Sequence, residues 1–275
     1  MRREISGDGR MAPLDRVRWL ASNACRNIAG AFAAVPLERG QPDAAAKAQA
    51  QGWRGSPSRL VSDAVLRREL SGLFAGRPIA ILDIGCGSGG ARRHFVDAGL
   101  HGSYLGIDIE DRFDRKAGFA GIESRFEEGD AHAVALPPAD LVFSFSALEH
   151  IPRDIGLIAR LRGVLRPGGA QVHVVPGGWA ILPYLWHGWR HYPRRALAER
   201  FDLDRCRVIA IGGPAALLLH TTMIAVPEIL LRFSLRDRVP GLYGRLVAAS
   251  LKIDAVLPGM ATNYVVIERA PGATP

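Results

Sequence analysis

Cysteine is scarce in this chain. Cys25, Cys86 and Cys206 are an odd number among 275 residues, widely spaced, with no Cys-x-x-Cys pair and no histidine cluster beside them. A disulfide framework and a structural zinc site are therefore excluded as organising devices. Lysine is as rare, since Lys47, Lys116 and Lys252 are the only ones, so arginine supplies nearly all of the 35 basic residues that outnumber 27 acidic ones for a formal charge of +8. An arginine- and alanine-rich chain is what a GC-rich genome produces, so the basic balance alone does not indicate nucleic acid, although some attraction to anionic surfaces follows from it. Arg2 and Arg3 are followed by Glu4 and Asp8 rather than by an apolar run, so no cleaved secretory signal is indicated and the reading is of a cytoplasmic protein. Internal repeats and low-complexity tracts are missing too. What is present is ordinary globular material: 48% hydrophobic and 23% charged residues in a chain long enough for a substantial core.

Hydrophobic spacing divides the chain. Residues 1–76 read as an N-terminal helical extension. There Leu14, Val17, Ala21, Ala24, Ile28, Ala31 and Val35 alternate spacings of three and four on one helix face that ends by Gly40 to Pro42, and a second helix runs from Leu60 to Phe74. Residues 77–275 read as an α/β domain. Strand-length apolar runs at Ile79 to Ile84, Tyr104 to Ile109, the segment before Asp130, Leu141 to Phe145, Gln171 to Val175, Cys206 to Ile211 and Tyr264 to Glu268 alternate with helical stretches. That alternation predicts a doubly wound, mostly parallel sheet with ligands at the carboxyl ends of its strands. A helical insertion over 213–258 interrupts it.

The sharpest signal is Asp83-Ile84-Gly85-Cys86-Gly87-Ser88-Gly89-Gly90, a strand that runs into a glycine turn and then a helix. Gly85, Gly87 and Gly90 also fit a dinucleotide fingerprint, so the run alone is ambiguous. Asp83 stands where a carboxylate suits a cationic or amine-bearing ligand better than a pyrophosphate. Asp108 closes the second strand, where it can accept from both ribose hydroxyls or simply cap a helix. Asp130 closes the third, where it can accept from an adenine amine or form a turn. The ordered set points to an adenosyl ligand.

With Asp140-Leu141-Val142 through Leu148-Glu149-His150 and Leu165-Arg166-Pro167-Gly168-Gly169, these residues resemble the class I, Rossmann-like methyltransferases that use S-adenosylmethionine, over roughly residues 77 to 211 plus the terminal strand. The resemblance implies a seven-stranded sheet whose antiparallel last strand, Asn263 to Arg269, lies beside the fifth. It implies S-adenosyl-L-methionine as cofactor, S-adenosyl-L-homocysteine as product, and a cofactor site of Asp83, Gly85, Cys86, Gly87, Gly89, Asp108, Ile109, Asp130, Ala131, Ser144 and Phe145. His150, after the fourth strand, is a candidate base near neutral pH. His191 and Tyr192, in Trp186-His187-Gly188-Trp189-Arg190-His191-Tyr192, are candidates for the acceptor side, with a packed loop as the alternative. No metal-binding carboxylate cluster is read.

Ala215 to Phe233 is apolar, but His220, Pro227, Glu228 and Arg232 make it a poor bilayer span. With a second helix faced by Leu242, Leu246, Ala249, Ile253 and Val256 it reads as a helical hairpin. Lid, dimer interface and peripheral contact with the inner face of a membrane are all open to it, and the oligomeric state is undetermined. The expected function is methyl transfer to a small-molecule, lipid- or sugar-linked acceptor. RNA or protein methylation and a non-catalytic cofactor-binding protein are the alternatives. Ser144-Phe145-Ser146 in place of an Asn-Pro-Pro-Tyr-type motif argues against nucleic acid. The lack of a Tyr-x-x-x-Lys arrangement argues against a nicotinamide oxidoreductase.

Overall fold

The computed structural model describes residues 5–74, 76–257 and 259–270. Its described strands are β1 (Glu38–Arg39), β2 (Ile79–Ile84), β3 (Gly102–Asp108), β4 (Ile122–Glu128), β5 (Ala139–Phe145), β6 (Leu165–Pro176), β7 (Cys206–Ile211) and β8 (Asn263–Arg269). They form one sheet in the order β1-β7-β8-β6-β5-β2-β3-β4. This is the expected α/β architecture with one strand more than the seven predicted. The addition is the two-residue β1, which pairs with β7 from within the segment read as purely helical. β2 pairs in parallel with both β3 and β5, so the chain order reverses at β2, the switch point where open α/β sheets take ligands.

The central strands are buried on both faces, which is why β2 and β5 read as continuous apolar runs. Edge strand β4 instead alternates, with Ile122, Ser124 and Phe126 turned inward and Glu123, Arg125 and Glu127 outward, so its sequence has no such run. β8 is antiparallel to its neighbours. The Thr262 N–H donates to Ile211 O just before its start, and the Arg269 N–H donates to Arg205 O at its end. The Pro167-Gly168-Gly169 sequence lies inside β6, where the register against β5 is irregular and Gly168 takes a φ of +77°.

By its internal contacts the chain divides into two compact units. The first comprises Met1–Val65, Pro176–Leu197 and Ile209–Tyr264, and the second Leu66–Val175, Ala198–Val208 and Val265–Pro275. Residues 1–65 of the expected extension and the whole of the expected insertion over 213–258 fall in the first unit, and residues 66–76 fall in the second.

The second unit holds α4 (Arg92–Asp97), α5 (Asp154–Arg162) and most of the sheet. At its centre Glu268 of β8 is fully buried. Arg162 donates to its two oxygens from Nε at 2.7 Å and from the terminal nitrogen at 3.1 Å, and Gln171 Nε2 donates as well. Removing Arg162 leaves the buried Glu268 charge with only Gln171 and, at 4.0 Å, Arg205. Arg162→Ala is expected to destabilise the chain by about 3–5 kcal/mol, and Arg162→Leu with Glu268→Leu by much less, as read from urea unfolding.

The first unit contains α1 (Pro13–Gly30), α2 (Ala44–Gln49), the start of α3 (Pro57–Phe74), part of α6 (Arg194–Arg200), α7 (Pro214–His220), α8 (Leu235–Arg238) and α9 (Pro240–Val256). The backbone of α7 continues as a π-helical stretch over Thr221–Leu230, which contains Pro227. Two helix faces differ from expectation. α1 buries Trp19, Asn23, Asn27 and Gly30, and leaves the predicted seam outward, with Leu14, Val17 and Ile28 about two thirds exposed at 59%, 63% and 65%. Ala31 and Val35 lie beyond its end. Polar anchoring accompanies this, because Trp19 Nε1 donates to Gly188 O at 3.1 Å, beside the Gly7 N–H, and Asn27 Nδ2 donates to Gly178 O at 3.0 Å. Likewise α9 packs through Tyr243, Gly244, Val247, Ser250 and Leu251, while Leu242, Ile253 and Val256 face outward. At Gly244 an added Cβ would stand 1.8 Å from Gln51 O, so glycine permits the close approach that sets this face. Among the described residues no helix is long and apolar enough to cross a membrane.

Candidate functional site

In the second unit β2 delivers the chain into the glycine turn. Gly85 has a φ of +68°, and a Cβ there would lie 2.4 Å from the Ala147 Cβ, so both conformation and space demand glycine. The Gly85 and Cys86 N–H groups donate to Ile107 O, which ties the turn to β3. Gly87 differs: its φ is +54° and a Cβ there would meet nothing within 4 Å, leaving open space over the turn for a ligand.

Asp108, at the end of β3, is nearly buried and accepts from the Gly87 N–H at 2.8 Å and the Glu110 N–H at 3.2 Å. Two carboxylate oxygens offer about four lone-pair positions, so capacity for a diol remains after the loop is held. Ile109, next in sequence, is 70% exposed, an apolar side chain open to cover a flat ring. Asp83 is buried and accepts from the Tyr104 hydroxyl at 2.8 Å. Desolvation pushes its pKa up to about 7, against the lowering effect of Tyr104; the nearby Asp108 charge raises it further and Arg92 lowers it. A carboxyl so placed gains from a cationic ligand, which would restore its ionised form.

The rest of the expected set falls into two groups. Cys86 packs beside the turn, its thiol pKa raised by burial first and by Asp83 second, so it is a filler rather than a nucleophile. Asp130 is exposed and accepts from the His132 N–H at 2.8 Å, the turn role named as the alternative. Ala131 is buried, and its carbonyl accepts from Arg160. Phe145 stacks on His94 at 5.5 Å. Ser144 is fully buried with its hydroxyl 2.8 Å from His173 Nδ1, and His173 Nε2 lies 3.0 Å from Gln171 Oε1, which makes Ser144 part of an interior polar chain rather than a ligand contact. His150 ends the short turn Leu148–His150 after β5 and is half-buried.

His191 and Tyr192, expected on the acceptor side, are core residues of the first unit, 2% and 0% exposed. Burial, with smaller contributions from His187 and Arg26, lowers the His191 pKa to about 3, and its ring meets Trp19 edge-on at 5.9 Å. A buried imidazole that resists protonation is a poor base near neutrality, so the packed-loop alternative holds. An apolar cavity of about 600 Å³ lies elsewhere in this unit, walled by Ile28, Phe32, Trp179, Leu182, Met260 and Tyr264.

One residue of the site was invisible to sequence reasoning. Arg92, in the first turn of α4, is 2% exposed. Its Nε donates to Gly89 O at 2.8 Å, and its terminal nitrogens donate to Asp114 O, Ala117 O and Ser124 Oγ at 3.0–3.2 Å. The guanidinium lies over the rings of Phe119 and Phe126. It joins the glycine turn to the chain that follows β3, whereas an arginine at a helix start reads as a solvent-facing charge. Tyr104, the partner of Asp83, was likewise read only as a strand residue.

Residues 82–172 match the family model described as a methyltransferase domain. The chain is 35% identical over 111 residues to a trans-aconitate 2-methyltransferase of Deinococcus radiodurans, covering 40% of this chain and 43% of that protein. It is 30% identical over 148 residues to a malonyl-(acyl-carrier protein) O-methyltransferase of Pseudescherichia vulneris, covering 51% and 57%. Against the sterol 24-C-methyltransferase erg-4 of Neurospora crassa it is 30% identical over 127 residues, 42% and 33%. The chain thus spans 33–57% of the length of these three relatives. Among solved structures the cyclase SpnF superposes with a TM-score of 0.51 at 18% identity over 94% of this chain and 96% of that one, a likeness of fold.

Proposed function

We propose that this chain, whose residues 82–172 match a methyltransferase domain, is a class I S-adenosylmethionine-dependent methyltransferase that moves the methyl group of S-adenosylmethionine onto a small-molecule acceptor. The observation that carries this reading is the glycine turn after β2, open above Gly87 and flanked by the carboxyl groups of Asp83 and Asp108. When bound, the sulfonium supplies an electrophilic methyl that an acceptor O, N or C atom takes by direct displacement, leaving S-adenosylhomocysteine. The protein's own work is to hold the two in line. In this proposal Asp108 accepts from the ribose hydroxyls, Ile109 covers the adenine, and Asp83 balances the positive charge of the methionine portion. In the same proposal His150, on the turn after β5, takes a proton where the acceptor must lose one.

Relatives that methylate trans-aconitate, malonyl-(acyl-carrier protein) and sterols share the fold core but not an acceptor. Calorimetric titration of the purified chain with S-adenosylmethionine, S-adenosylhomocysteine and NADH tests the cofactor reading. Micromolar binding of the first two with NADH silent is the expected result, and binding of NADH alone overturns it. Asp108→Asn keeps an oxygen for the Gly87 N–H but loses the charge-assisted bonds to the ribose. Its affinity for both adenosyl ligands is expected to fall about tenfold in a chain that still melts cooperatively, the lost acceptor for the Glu110 N–H lowering the melting temperature only slightly.

A further inference from the structure

The sequence's excess of positive charge is not spread over the molecule. The first compact unit carries 18 Arg and Lys against nine Asp and Glu, a net +9, whereas the second carries 17 against 18, a net −1. The same unit turns its apolar helix faces outward. Along α1, Leu14, Val17 and Ile28 recur at helical spacing on the side away from buried Trp19, Asn23 and Asn27, and Phe32, just past the helix end, is 83% exposed. At the start of this stripe Met11 and Arg16 share a concavity with the exposed Ile229 and Leu230 and with Arg232. At its end Ile28 and Phe32, with exposed Leu182 and Met260, form the rim of the apolar cavity. Arg18, largely exposed, borders the stripe and pairs only loosely with Asp15 at 3.5 Å, and Arg16 lies over the Trp186 ring.

We infer that this face docks the protein on the surface of an anionic lipid bilayer, with α1 lying in the interface plane and its outward stripe entering the acyl boundary. An interfacial helix needs apolar side chains on one face and cationic ones beside them, and anionic headgroups strengthen binding by attracting basic groups near the surface. Nothing in α1 needs to unfold or turn over, because its polar face is already committed to the protein. Charge also selects among occupants. A second copy would bring one +9 unit against another, whereas an anionic bilayer meets that charge with its opposite. A nucleic acid would satisfy the arginines but leave Leu14, Val17 and Phe32 in water.

Cosedimentation of the full chain with vesicles tests this, using phosphatidylcholine alone and an equal mixture with phosphatidylglycerol, at about 50 and about 500 mM salt. Binding to the mixed vesicles at low salt, weakened by salt and missing on phosphatidylcholine, is the expected result. Leu14→Asp with Val17→Asp should lower that partition about tenfold or more, and Leu14→Ser with Val17→Ser, which adds no charge, should lower it as well. Both pairs lie in the first unit and the glycine turn in the second, so far-UV circular dichroism and the melting temperature, rather than ligand binding, report that the variants are folded. The inference is overturned if the unaltered chain ignores anionic vesicles, or if both double variants bind like the parent. It is also overturned if sedimentation shows a dimer that these substitutions split, which would make the stripe a self-association surface.

Discussion

Replacing Asp83 by asparagine is expected to make the ligand-free protein more stable at pH 8 and to weaken S-adenosylmethionine binding by about tenfold to a hundredfold. Both effects come from one buried carboxyl. In the unfolded chain it ionises near 3.8, and in the folded protein near 7. Between those values the folded state keeps a proton that the unfolded chain has lost. Unfolding then releases a proton, and the contribution of Asp83 to stability falls as pH rises from about 4 to about 7. Above 7 the group is ionised in both states and the full penalty remains, up to about 4 kcal/mol for a difference of that size. Asparagine removes the penalty, and its Oδ1 still accepts from Tyr104, so melting curves of the two proteins should separate above pH 7 and converge below about 4. The ligand sees the opposite: a cation bound against Asp83 needs the carboxylate, so affinity should decline below pH 7 as a proton must be displaced. Titrations in buffers of different ionisation enthalpy would read that proton directly. Equal affinity of the asparagine variant at pH 8 would remove Asp83 from the cofactor site.

Arg92→Ala is expected to cost about 3–5 kcal/mol, the range for breaking a buried charged group out of its hydrogen-bonded setting. The carbonyls of Asp114 and Ala117 and the Ser124 hydroxyl lose this donor together, Gly89 O keeps only the Arg92 backbone N–H, and the cation leaves the rings it covers. The loss should fall unevenly. Amides from Gly87 to Gly89 and from 114 to 117 should exchange with solvent sooner than those of β5 or β6, because Arg92 connects those two stretches. Arg92→Lys keeps the charge, but one nitrogen cannot span acceptors that the planar guanidinium reaches from three sides. A lysine variant as stable as the parent would mean that charge alone, and not the fork, holds the turn.

What could be read in the sequence follows from where physics is local. Strand β2 was legible to the residue, and β8 in position, because apolar runs buried on both sides leave a mark in composition, whereas the antiparallel direction of β8 came only with the family resemblance. The glycine turn was legible because positive φ and close approach each demand one residue type. The outward faces of α1 and α9 were not legible. Periodicity shows that a helix has an apolar side but not whether that side is packed, and in α1 the packed side is the one whose Trp19 and Asn27 bond the carbonyls of Gly188 and Gly178. His191 misled for a related reason, since a loop dense in histidine and aromatic residues has the same composition whether it lines a pocket or fills a core. Arg92 could not be found because its acceptors are backbone carbonyls, which no side-chain pattern announces.

The antiparallel β8 bears on how the chain can fold. It lies between β6 and β7, so those two strands, made earlier and paired on their other sides with β5 and β1, each lack a partner on the side facing β8 until residues 263–269 have been added. Until then each presents an open row of backbone donors and acceptors, the condition in which strand edges recruit one another between molecules. Sheet closure is thus a late, long-range event, which puts this protein among the slower folders of its size. The buried Glu268 within that strand must then find Arg162 and Gln171 as it enters, so a mispaired register would leave a carboxylate dry and alone, and the strand is proofread by its own charge.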